Sequence, residues 1–100
     1  MLVPVVALMV SSAHARTVKC ELTIAGHTYI DGPCEFTSIG DGSFIITGEN
    51  GFFAYANRAG SQMRGSWNGV YKDSHAHDEL GMLDRDGACW VNQTARVCAW

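Results

Sequence analysis

The sequence predicts an all-β domain: a small antiparallel barrel or sandwich of about seven or eight short strands, stapled by two disulfides. Three observations carry this reading. Apolar and polar residues alternate in short segments separated by glycine, which is the period of a half-buried strand. Asp-Gly pairs recur ahead of apolar runs, at 31–32, 41–42 and 86–87, and both residues suit the positive φ of tight turns. Four cysteines (Cys20, Cys34, Cys89 and Cys98) stand in a chain of only 100 residues.

The chain opens on an apolar segment. Residues 1–15, MLVPVVALMVSSAHA, hold eleven apolar residues and no acidic or basic side chain. They end in Ala13-His14-Ala15, an A-x-A cleavage pattern after an apolar run of signal-peptide length. The expectation is a signal peptide over 1–15 and a single domain over 16–100. Taking eleven apolar residues from 47 leaves 36 in 85, about 42 %, an ordinary globular share. The sequence contains no apolar run of the 18 residues that a membrane helix needs. Export would supply an oxidising space, so the even cysteine count implies disulfides. Four cysteines allow three connectivities. A turn at Gln93-Thr94 would set Cys89 opposite Cys98, and Cys20 and Cys34 flank a strand–turn–strand segment. Local geometry therefore favours Cys20–Cys34 with Cys89–Cys98. No C-x2-C pair is present, which argues against both a structural zinc site and a redox motif.

The elements follow in order. Residues 17–24 alternate, with Val18, Cys20, Leu22 and Ile24 on one face. A turn at 25–27 returns the chain into 28–30. Further strands are expected at 43–47 (SFIIT), 51–57 (GFFAYAN), 61–67, 80–84, 88–91 and 96–100. If 51–57 is a strand, Phe52 faces opposite to Phe53 and Tyr55. Each aromatic taken singly, Trp67, Trp90 and Trp100 included, is expected in the core. The three Asp-Gly pairs read as hairpin turns. No window sustains a helical period, and only a short helix within 73–80 competes with the all-β pattern.

Candidate functional residues fall in two polar stretches, 57–63 and 72–79, both read as long loops free of core signal. The first contributes Asn57, Arg58 and Ser61, and the second Lys72, Asp73, His75 and His77. His75 and His77 share a face in an extended chain, a spacing that can hold zinc or copper. His27 is the only distant third imidazole of the domain. The formal net charge of −3, with seven scattered basic residues, excludes a nucleic-acid footprint and favours neutral or cationic partners. No G-x-S-x-G stands in the chain, and its cysteines are expected to be oxidised, so no enzyme and no cofactor are expected. Asn92-Gln93-Thr94 matches the N-glycosylation triplet, yet its plainer role is a turn.

The leader, with VKCEL, DGPCEF, GSFII, GSWNG and the closing GACWVN and VCAW, resembles small exported β-domain proteins of proteobacteria. In size, acidity and disulfide use the format is similar to that of the periplasmic lysozyme inhibitors. That resemblance implies a small β-barrel or sandwich that inserts a loop into an enzyme cleft. The inhibitors' Ser-Gly-x-x-Tyr loop has no counterpart. Ala59-Gly60-Ser61-Gln62 and Arg64-Gly65-Ser66-Trp67 are the nearest tracts, so no site residue carries over. The leading expectation is a periplasmic or secreted protein-binding module, with an inhibitor of a cationic hydrolase such as lysozyme as its specific form. The alternatives are a periplasmic metal-binding protein using the His-x-His segment, and a structural envelope protein with no specific ligand.

Overall fold

The computed structural model describes residues 15–100; the expected signal peptide, but for Ala15, lies outside them. Eight antiparallel strands close into one barrel in simple sequence order. They are β1 (Ala15–Ile24), β2 (His27–Gly40), β3 (Ser43–Gly48), β4 (Phe53–Ala59), β5 (Gln62–Trp67), β6 (Asp78–Asp86), β7 (Cys89–Val91) and β8 (Ala95–Ala99). β8 closes the barrel on β1 by pairing Ala95–Ala99 with Cys20–Ile24. No helix occurs among the described residues, and 73–80 is loop and strand.

Two of the three Asp-Gly pairs turn as expected, Asp41-Gly42 between β2 and β3 and Asp86-Gly87 before β7. The third does not. Asp31-Gly32-Pro33-Cys34 runs through the middle of β2, a strand of 14 residues that was expected to end near Ile30. Proline survives there because β3 pairs with β2 only from Cys34 onward. Lys19, opposite Pro33, gives its carbonyl to the Trp100 amide instead. The ladder asks nothing of the proline nitrogen, as befits an unpaired strand margin.

Alternation sorts side chains into and out of the barrel. Leu22, Ile46, Ala54, Ala56, Met63, Leu83 and Val97 are buried in one core cluster. Phe53 and Tyr55 face outward together, their rings edge to face at 6.2 Å. Two register shifts re-aim core residues. Leu80 is the extra residue between the Gly65–Gly81 and Ser66–Glu79 pairs, so Leu80 and Leu83, three apart, are both buried. Tyr29 is the extra residue between the Leu22–Ile30 and Thr23–Thr28 pairs. Its ring lies 4.6 Å from Trp67 and 5.1 Å from Phe52, an aromatic plug at one end of the barrel.

The disulfides are Cys20–Cys34 and Cys89–Cys98. Their Cα separations of 5.7 and 4.0 Å come from the ladders. Cys89 and Cys98 are directly opposed, while Cys34 lies one step diagonal to Cys20. Cys20 and Cys34 belong to the core cluster. Val97 points inward, so its neighbour Cys98 crosslinks β7 and β8 on the other face. Two such bonds fit an oxidising, exported environment.

Closure also leaves a gap beside β7. β7 spans three residues and pairs only with Asp84, Arg85 and Asp86 of β6. The Asn92 side chain fills the gap by donating Nδ2 to the carbonyls of Leu80 (2.8 Å) and Met82 (3.2 Å). Its Oδ1 accepts from the amides of Thr94 (2.9 Å) and Ala95 (2.7 Å). The glycosylation triplet is thus a turn whose asparagine is fully engaged.

Replacing Asn92 by Ala is expected to cost about 2 kcal/mol of unfolding free energy, since buried carbonyls lose their donors. Asn92→Asp keeps the acceptors for Thr94 and Ala95 but sets a carboxylate oxygen against the carbonyls of Leu80 and Met82, so it should lose at least as much. Non-reducing urea titrations of both variants would measure this, and unchanged stability in either would overturn it. Opening the Cys89–Cys98 link in a Cys89→Ser, Cys98→Ser double variant should cost about 3 kcal/mol, the loop-closure value for that separation. The same titration checks it.

Candidate functional site

Successive turns of an up-and-down barrel alternate between its two ends. The two nominated loops therefore lie apart. Asn57, Arg58 and Ser61 belong to the β4–β5 hairpin at one end, whereas Lys72, Asp73, His75 and His77 belong to the β5–β6 loop at the other. The 57–63 stretch is not a long loop but two strands joined at Gly60-Ser61, and Met63 is core. Asn57 and Gln62 take outward positions of the hairpin, Arg58 stands opposite Met63 near its end and Ser61 lies in the turn, a pattern that sequence alone confuses with a loop. Arg58 is occupied structurally. Its Nε donates to the Asp41 carbonyl (2.6 Å), its Nη1 to the Gly60 carbonyl (3.0 Å) and its amide to Ser43 Oγ (2.8 Å). It ties two turns of that end together and leaves little for a partner. Two shallow hollows flank Gly48, with Glu49 on both, and bring no nominated residue together.

The other end is built differently. Residues 68–77 connect β5 to β6 with no regular structure. Asn68, 1 % exposed, organises them. Its Oδ1 accepts from the Phe53 amide (2.9 Å), and its Nδ2 donates to the carbonyls of Gly51 (3.0 Å) and Asp73 (3.2 Å). The Asp73 amide returns to the Asn68 carbonyl (2.9 Å), and the Lys72 amide donates to the Gly69 carbonyl (3.0 Å). One buried side chain thus closes the loop on itself and fastens it to the start of β4. Gly69 makes the bend: its φ is +76°, and an added Cβ would stand 2.7 Å from Asp78 Oδ2.

Beneath the loop lies the plug of Tyr29, Phe52 and Trp67, and the Lys72 ammonium sits 4.8 Å from the Phe52 ring centre. Outward, beside its polar residues, the loop holds an apolar pair. Tyr71 is 88 % exposed and Val70 53 %. Tyr71 and Trp100 therefore depart from the expectation that each aromatic lies in the core. With Lys72 folded back over Phe52, the exposed carboxylates are Asp73, Asp78 and Glu79. The one ion pair among the described residues joins Arg96 to Glu21 (3.1 Å), on the β1–β8 seam.

His75 and His77 do share a face, with ring centroids 5.3 Å apart and planes at 77°. Among the described residues no group of three or more His, Cys, Asp and Glu is placed to hold a metal ion, so His27 does not join the pair. The residues missed in sequence are Asn68, Gly69, Val70 and Tyr71. Their signal was the Asn-Gly pair directly after Trp67, a turn dipeptide at a strand end.

Asn68→Ala should unlock the loop, with faster proteolytic cleavage between residues 68 and 77 and a stability loss of about 1–3 kcal/mol. Limited proteolysis with mapped cut sites measures the first, and an unchanged cleavage rate would contradict the anchoring role.

No protein-family model matches this sequence, and no curated protein or solved structure is detectably similar to it.

Proposed function

We propose that the chain is an exported protein-binding module, periplasmic or secreted, that acts by binding rather than catalysis and engages its partner through the 68–77 loop. The observation that carries this reading is the pairing of opposites at one site: Tyr71 and Val70 exposed on a loop anchored by fully buried Asn68. Two adjacent apolar residues held exposed on an ordered loop support an interaction site there. A loop ordered before binding keeps the entropy cost of association low. Tyrosine suits this use, because it offers a large amphipathic contact area with few rotatable bonds.

Charge selects the kind of partner. Asp73 lies on the loop and Asp78 and Glu79 at the start of β6 that follows it, all exposed, and the whole chain carries −3. Such a surface attracts a cationic protein over a distance of about 8–10 Å at moderate salt. A cationic hydrolase such as lysozyme fits, with Tyr71 entering its cleft and the carboxylates meeting its basic rim. The two disulfides support an exported setting.

Purified protein at a one-to-one ratio should slow a lysozyme of at least one class, and the inhibition should weaken as salt is raised. Tyr71→Ala should weaken it by at least about tenfold, the loss expected of a central aromatic anchor. Turnover of a peptidoglycan substrate measures both. Absence of inhibition across lysozyme classes would overturn the inhibitor reading.

A further inference from the structure

The paired imidazoles serve neither the barrel scaffold nor the apolar tip. We infer that His75 and His77 form an open two-histidine site for a divalent transition-metal ion, copper(II) in preference to zinc(II). The inference does not rest on the partner-binding reading. It rests on spacing. Two imidazoles bound through nitrogen at about 2.0–2.1 Å have ring centroids roughly 4.5–5 Å apart, whether they take cis positions on a tetragonal ion or two corners of a tetrahedral one. The observed separation is 5.3 Å, with the planes steeply inclined at 77°.

Three features of the loop favour chelation over a chance ring contact. Both histidines are exposed and flank half-buried Ala76, so an ion reaches the pair from solvent. No side-chain hydrogen bond among the described residues engages either imidazole, so neither ring nitrogen has to be freed. The segment is short and held at both ends, by Asn68 at its base and by β6 from Asp78 onward. Little chain entropy is therefore lost when the rings converge.

The donor type sets the ion. Imidazole nitrogen suits copper, nickel and zinc, whereas magnesium and calcium prefer oxygen. Affinity for a given nitrogen site rises toward copper(II) and falls again at zinc. Two protein ligands leave the remaining positions to water, which places the affinity in the micromolar range. Asp73 and Asp78 on the same loop add a negative field that favours a cation.

The test is a copper(II) titration of the full chain, followed by electron paramagnetic resonance and by calorimetry. One equivalent should bind with micromolar affinity and show hyperfine coupling from two imidazole nitrogens. Zinc should compete, and calcium should not. His75→Ala and His77→Ala should each weaken binding by at least about tenfold, while His14→Ala and His27→Ala leave it unchanged. Circular dichroism of each variant verifies the fold. Unchanged binding in the His75→Ala, His77→Ala double variant would overturn the site. So would coupling from a single imidazole, or loss of binding in His14→Ala or His27→Ala.

Discussion

Closure of eight strands into one barrel is the constraint on which the rest of this structure depends. A closed sheet removes the exposed ladder edges that invite aggregation. Eight strands, however, enclose only enough space for side chains. Large residues must therefore meet small ones across the ladder. Phe44 is paired with Ala56, and Ala56 in turn with Gly65. Ile46 is paired with Ala54, and Ala54 with Trp67. Gly65 shows how tight the fit is, since a Cβ there would stand 2.8 Å from Leu83 Cδ1 and 3.1 Å from Leu80 Cβ. Two disulfides supplement a core of limited extent.

Closure by strands of unequal length leaves backbone groups without ladder partners, and asparagines supply them. Asn92 serves the carbonyls of β6 beyond the reach of β7, and Asn68 joins the end of β5 to the start of β4. Asn50 donates to the Tyr29 carbonyl (2.7 Å), at the bulge where β2 has left β3. A primary amide suits these places because it offers donors and an acceptor together, without the desolvation cost of a charge. The same device that completes the barrel also fixes the 68–77 loop.

Much of the fold was legible because it is locally encoded. The alternation of 17–24, the turn at Gln93-Thr94 and both cysteine pairings depend on residues close in sequence, and all appear in the structure. Asp31-Gly32 was misread because turn chemistry is local whereas the length of β2 is decided by β1 and β3 on either side. The 57–63 hairpin looked like a loop because Met63 is the one fully buried side chain in a stretch of otherwise polar or small residues. The candidate site was legible in part. The acidic, histidine-bearing half at 72–79 stood out by composition. The apolar half at Val70 and Tyr71 did not, because an apolar pair after a strand reads as core until the fold shows it at a loop tip.

An interior occupied by side chains from all eight strands sends recognition to the surface, and the two ends of the barrel are unequal candidates. One end has short turns at Gly60-Ser61 and Asp41-Gly42 whose polar groups are bound to one another through Arg58. The other holds a ten-residue loop on an aromatic plug. Its conformation is fixed on folding, so the proposed partner would meet Tyr71 already placed. Tyr71 and the His75–His77 pair share that loop and the same asparagine anchor. A metal bound by two imidazoles would keep open positions, and a partner seated on Tyr71, as proposed, would add its own side chains to the same loop. A nitrogen or sulfur ligand from that partner would complete the coordination shell. Metal and partner would then each raise the affinity for the other by the same factor, as linkage requires.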